Sequence, residues 1–161
     1  MILRILTALS CCLLLYVAGC SRSQNREDPV TEVQGHDAEM NAAIKMARSR
    51  LPEFWKTFEH PARSETDFAL KLKIADPNGV EHFWVTPIQR KGGKIYGTIS
   101  NEPVTVRSVK SGQRIEIPEA QIIDWLYMRN DKMVGNFTLR VLLKRTPEEE
   151  AAKYRAMLAE P

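Results

Sequence analysis

The feature that most constrains this fold is a change of period near Thr66, followed at once by a tight turn. Phe68, Leu70, Leu72 and Ile74 alternate with Ala69, Lys71 and Lys73, the period of two that a strand with one buried face requires. Asp76-Pro77-Asn78-Gly79 comes next, and Asn-Gly accepts the positive φ that a hairpin turn needs. Residues 80–88 form a second extended run, with His82 on the same side as Val80 and Trp84. The two runs are predicted to pair antiparallel. A hairpin with one apolar face must be covered, so the rest of the chain has to supply further strands and a packing layer.

The flanking segments supply both. Lys91-Gly92-Gly93-Lys94 is a turn into a third strand over 95–100, which Asn101-Glu102-Pro103 breaks. Further strands are predicted over 104–109, 114–117 and 122–129, with turns at Ser111-Gly112 and Asn130-Asp131. Upstream, a helix is predicted to start at Asp37 as N-cap, with Glu39 in its first turn and Met40, Ile44, Ala47 and Leu51 on one face. Pro52 either kinks this helix or opens a second short one carrying Phe54, Trp55 and Phe58, read as core. Residues 137–144 are apolar on every side and fit either a helix or a last strand. Thr146-Pro147-Glu148-Glu149-Glu150 opens a final helix, with Ala151, Tyr154 and Leu158 on one side and Glu149 within reach of Lys153. The expected fold class is α+β. An antiparallel sheet of about five to six strands carries the N-terminal helix on one face, and the C-terminal helix closes an end. A single domain over 37–161 is large enough to bury a core without staples.

The N-terminus sets the expected location. Arg4 precedes an apolar run from Ile5 to Tyr16, and Val17-Ala18-Gly19-Cys20 follows. The run is shorter than the about 20 apolar residues needed to span a bilayer, as in a signal peptide. Val-Ala-Gly-Cys fits the lipobox of bacterial lipoproteins, so 1–19 reads as a signal peptide and Cys20 as the lipidated first residue of the mature chain. Cys11 and Cys12 leave with the leader, and no cysteine remains for a disulfide, a catalytic thiol or a metal site. Residues 20–36 read as a flexible tether, poor in packing residues. The expected partners are membrane lipid through Cys20 and a protein of the cell envelope. The domain would face the periplasm, and Ser21 favours the outer membrane under the lipoprotein sorting rule. Lys and Arg total 23 against 20 acidic residues, with signs interspersed; no basic block follows a phosphate backbone, which argues against nucleic acid.

Chemistry-bearing residues are few. The histidines are His36, His60 and His82, and none has a second ligand at metal spacing. No HExxH, paired cysteines or acidic calcium loop occurs, and no metal or cofactor is expected. No Gly-x-Ser-x-Gly elbow is present, and Gly92-Gly93-Lys94 lacks phosphate-loop spacing. The candidate site comprises His82, Trp84, Asn101, Glu102, Asp124 and Trp125. His82, Glu102 and Asp124 meet in space only if the fold brings them together, which would make an acid/base hydrolase. Otherwise Asp124 orders a backbone turn and Glu102 is solvated. Trp84, Trp125 and Tyr127 either pack the sheet or form an aromatic platform for a partner.

Several segments carry a resemblance. Met40-Asn41-Ala42-Ala43-Ile44, Asp67-Phe68-Ala69-Leu70-Lys71, Glu81-His82-Phe83-Trp84-Val85, Asn101-Glu102-Pro103, Asp124-Trp125-x-Tyr127-Met128 and Gly135-Asn136-x-Thr138-x-Arg140-Val141-Leu142 resemble the YegJ family, from Asp37 to about Arg145. The resemblance implies a small α+β domain of unknown function, several of whose members resemble exported lipoproteins, and it implies no catalytic residues. The leading expectation is a non-enzymatic binding module of the envelope. The alternatives are the hydrolase above and an immunity-type protein that neutralises a toxin.

Overall fold

A computed structural model describes residues 38–160. The leader, Cys20, the tether and the Asp37 cap lie outside the described residues. The first two elements are α1 (Ala38–Ser49) and α2 (Leu51–Glu59). Pro52 sits in the first turn of α2, where its missing N–H has no helical partner to lose. The chain therefore starts a second helix at this proline. Leu51, Phe54 and Trp55 are the buried side of α2.

The predicted hairpin forms from β1 (Glu65–Asp76) and β2 (Gly79–Lys91). Leu70 pairs with Val85, Lys71 with Trp84 and Lys73 with His82. β3 (Lys94–Ile99), β4 (Arg114–Glu116), β5 (Ile122–Arg129) and β6 (Lys132–Gly135) complete a six-stranded antiparallel sheet ordered β4-β3-β2-β1-β5-β6. The hairpin occupies the centre. One face of it, with Leu70, Leu72, Phe83 and Val85 essentially excluded from water, packs under the helices. The Phe54 and Trp125 rings lie 5.4 Å apart, and Trp125 Nε1 donates to Ala47 O at 2.8 Å. That bond fastens α1 to β5 inside the core. Gly97 leaves room for Val85, whose methyl would overlap any side chain at that position.

Three expectations are corrected. No strand forms over 104–109. The β-branched run Val104-Thr105-Val106 produced the strand-like reading, but Val104 is exposed, Val106 and Val109 are the buried pair, and the backbone donors of this loop go to carboxylates. Val104, Thr105 and Val106 N–H groups donate to Glu81, and Arg107 and Ser108 N–H groups to Asp76. A strand not anticipated, β6, follows the Asn130-Asp131 turn, whose residues have φ 49° and 60°. It is only four residues long, too short to show a period. Thr146 does not cap the last helix: its hydroxyl donates to Leu142 O, and Pro147 occupies the cap position of α4 (Glu148–Met157).

The ambiguity over 137–144 resolves as a helix, α3 (Phe137–Leu142). Gly135 and Asn136 precede it with φ +82° and 50°, turning the chain off β6. Trp125 presses on this corner: a Cβ at Gly135 would sit 2.6 Å from Trp125 Cε3. α4 buries Ala151 alone among its residues, with Tyr154 44% exposed. Its ion pair joins Arg155 to Glu148. Beyond it, Leu158 bridges to Met133 beside β6.

Candidate functional site

The outer face of the central hairpin carries Ala69, Lys71, Lys73 and Ala75 on β1 and Val80, His82 and Trp84 on β2, by strand alternation. Lys73, Ala75, Val80 and His82 are exposed, whereas Lys71 and Trp84 are half-buried. Lys71 stands between Trp84 on one side and Asp124 of β5 on the other. Its ammonium lies 5.5 Å from the Trp84 ring centroid and donates to Thr138 Oγ1 at 3.1 Å. The Thr138 hydroxyl in turn donates to Asp124 Oδ2 at 2.7 Å.

Asp124 is fully buried. Its two oxygens also accept the N–H groups of Trp125, Phe137 and Thr138. A carboxylate on β5 thus satisfies the first free donors of α3. Burial raises the Asp124 pKa, opposed by the donors of Thr138, Trp125 and Phe137. Burial likewise lowers the Lys71 pKa, opposed by the charge of Asp124. Both groups are pushed toward their neutral forms, and the Thr138 hydroxyl between them offsets part of that cost. His82 is pushed the same way. Burial, then the Lys71 and Lys73 charges, lower its pKa from 6.5 to about 4. The ring is exposed by surface area, so the direction carries the chemistry: His82 is a neutral imidazole at pH 7.

The remaining candidates have other neighbours. The Asn101 side chain acts as a surrogate peptide group where β3 ends, accepting from Trp84 N–H at 2.9 Å and donating to His82 O at 3.4 Å. Glu102 is exposed in the loop that follows. Trp125 is core. His82 pairs with Lys73 and Asp124 with Lys71, so the two lie on different rows with a strand between them, about 10 Å across the sheet. The structure brings His82, Trp84 and the Asn101 amide together and holds Asp124 in a separate, saturated network.

A cleft of about 590 Å³ lies between α2, β5 and the last residues. Arg50, Lys56, His60, Tyr127 and Arg129 are among its walls. Its two arginines are engaged from within, Arg129 by Glu65 and the Tyr127 hydroxyl and Arg50 by Glu53. Among the described residues no cluster of His, Cys, Asp and Glu has the geometry of a metal site, and no helix is long and apolar enough to cross a membrane.

The family described as "Uncharacterized protein conserved in bacteria (DUF2314)" matches residues 37–159. The chain belongs to this family. It is 38% identical over 125 residues to Uncharacterized protein YegJ of Escherichia coli strain K12, covering 77% of this chain and 80% of that one. It is also 30% identical over 133 residues to a protein of Neisseria meningitidis serogroup B, provisionally named an ankyrin repeat protein. There the match takes in 77% of this chain and 52% of the relative, about half of that protein's length. No solved structure matches. In this chain the outer face of the hairpin is the notable arrangement. Lys71 and Lys73, which dominate it, were not among the sequence candidates. Counting outward from the Asn78-Gly79 turn would have placed them opposite Trp84 and His82. No local signal marked Thr138, because its role depends on where α3 lands.

Proposed function

We propose that this DUF2314 protein is a lipid-anchored domain of the bacterial envelope that binds a protein partner and performs no chemistry of its own. The observation that carries the reading is the outer face of the hairpin, where half-buried Lys71 and Trp84 and exposed Lys73 and His82 form adjacent cross-strand pairs beside exposed Val80, with no described element laid over Lys73 and His82. The groups an acid/base enzyme would need have other work: Asp124 caps α3 and the Asn101 side chain completes the β2 edge.

The anchor follows from the pattern at 13–20, with Cys20 as the acylated residue. Two or more acyl chains hold a protein to a bilayer stably where one does not, and Ser21 directs the anchor to the outer membrane. A Cys20→Ala chain, followed by membrane fractionation and labelling with a palmitate analogue, is expected to lose the label and to stay unprocessed or leave the outer-membrane fraction. Normal processing and outer-membrane retention of the variant would sink the anchor.

A further inference from the structure

We infer that the Lys71–Lys73–His82–Trp84 face is a docking surface for an acidic, extended segment of a partner protein; this rests on the binding role proposed above and names the partner's chemistry. Exposed faces of antiparallel sheets ordinarily mix charge signs, because opposite charges across a pair stabilise and like charges repel. Here the outward positions on β1 read Ala69, Lys71, Lys73, Ala75, and those on β2 read Val80, His82, Trp84, Thr86. No acid stands among them. The one carboxylate facing this ladder from β5, Asp124, has its oxygens filled by four donors and is reached by Lys71 only through Thr138. Glu81 beside His82 belongs to the other face, where the backbone of 104–106 engages it. Lys73 makes no ion pair among the described residues.

The patch therefore holds cationic and neutral donors with no acid on the outward rows from Ala69 to Ala75 and from Val80 to Thr86. Lys73 and the facing His82 ring present N–H donors side by side, and Trp84 with Val80 supplies apolar contact at either end of the β2 row. An extended acidic segment matches this spacing, since its alternate side chains repeat about every 7 Å. A carboxylate seated between Lys73 and His82 pairs with the Lys73 ammonium and accepts the imidazole N–H. The charged groups facing His82 are Lys71 and Lys73 from β1, while Glu81 of its own strand acts on it from the opposite face. A membrane surface fits less well: lipid-reading patches use about four to eight basic residues in a cluster, and this one has two lysines, one of them half-buried.

The test uses the full chain in neutral detergent micelles. It is titrated with a fluorescein-labelled peptide of alternating Glu and Val, with the Gln–Val counterpart, and with phosphatidylglycerol vesicles. The Glu–Val peptide is expected to bind, weaken with added salt, and perturb the Trp84 indole and amides of 71–73 and 82–84 in NMR spectra. Lys73→Glu should weaken it at least tenfold and the Gln–Val peptide should not bind. Arg107→Glu, the same charge change on the 101–113 loop, should leave affinity unchanged. Equal binding by the Lys73→Glu chain, or binding of the Gln–Val peptide, overturns the inference. Vesicle binding that depends on Lys73 with none of the acidic peptide overturns it too and assigns the face to lipid. None of these outcomes touches the Cys20 anchor, which fractionation tests separately.

Discussion

Asp124 shows how much one side chain arranges here. Its carboxylate accepts from Trp125, Phe137 and Thr138 and, through Thr138, answers the charge of Lys71. Asp124→Ala leaves three buried N–H groups and a half-buried ammonium without their acceptor, a loss on the order of 3–5 kcal/mol, to be read by urea unfolding. His82 gives a second residue-level expectation. In NMR titration its imidazole should titrate near pH 4 in place of 6.5. The unfolded chain then protonates first, so this residue's share of stability is present above 6.5 and lost as pH falls toward 4. Lys73→Gln should move the midpoint upward. Proximity of His82 to Trp84 was legible from alternation alone. The role of Asp124 was not, because its partners lie thirteen and fourteen residues away on a helix whose position only packing decides.

At the scale of elements, the hairpin was legible because period and turn chemistry agree, and the 104–109 segment was misread because they did not have to. The β-branched residues Val104, Thr105 and Val106 suit a strand, yet the buried pair is Val106 and Val109, three apart, which a strand would place on opposite faces. The deciding fact is the destination of the backbone donors, which two carboxylates on the hairpin supply from far away in sequence. This attachment is acid-labile. The Asp76 carboxyl is held below its ordinary 3.8, first by the Arg107 N–H. The Glu81 carboxyl lies below 4.5, burial opposing and the N–H groups of Thr105, Val104 and Val106 prevailing. Groups with lowered folded pKa values contribute fully above their unfolded values and lose that contribution as pH drops through the folded ones. Hydrogen-exchange protection at 104–108 should therefore be constant from pH 7 down to the ordinary carboxylate values and be lost as pH falls through the lowered values of Asp76 and Glu81, before the core amides of β1 and β5 lose theirs.

For the whole molecule, α+β class and helices at both ends were readable from periods, and the strand count near six was met although 104–109 stood in the count for β6. The strand order was not fully readable, since β1 pairs with β5 across some fifty intervening residues and no local pattern announces it. That order puts the hairpin in the middle of the sheet and leaves its Asp76 and Glu81 carboxylates to hold residues 104–108. The grip reads main-chain N–H groups, and only Val106 and Val109 add buried side chains. The molecule thereby separates architecture from identity at one of its margins. Positions 104, 105, 107 and 108 are free to change their side chains without changing how the loop is fastened, provided none becomes proline. A library randomised at 104–108 and selected for folding should keep apolar residues at 106, exclude proline throughout and accept nearly anything else, which makes this loop a place for the family to diversify.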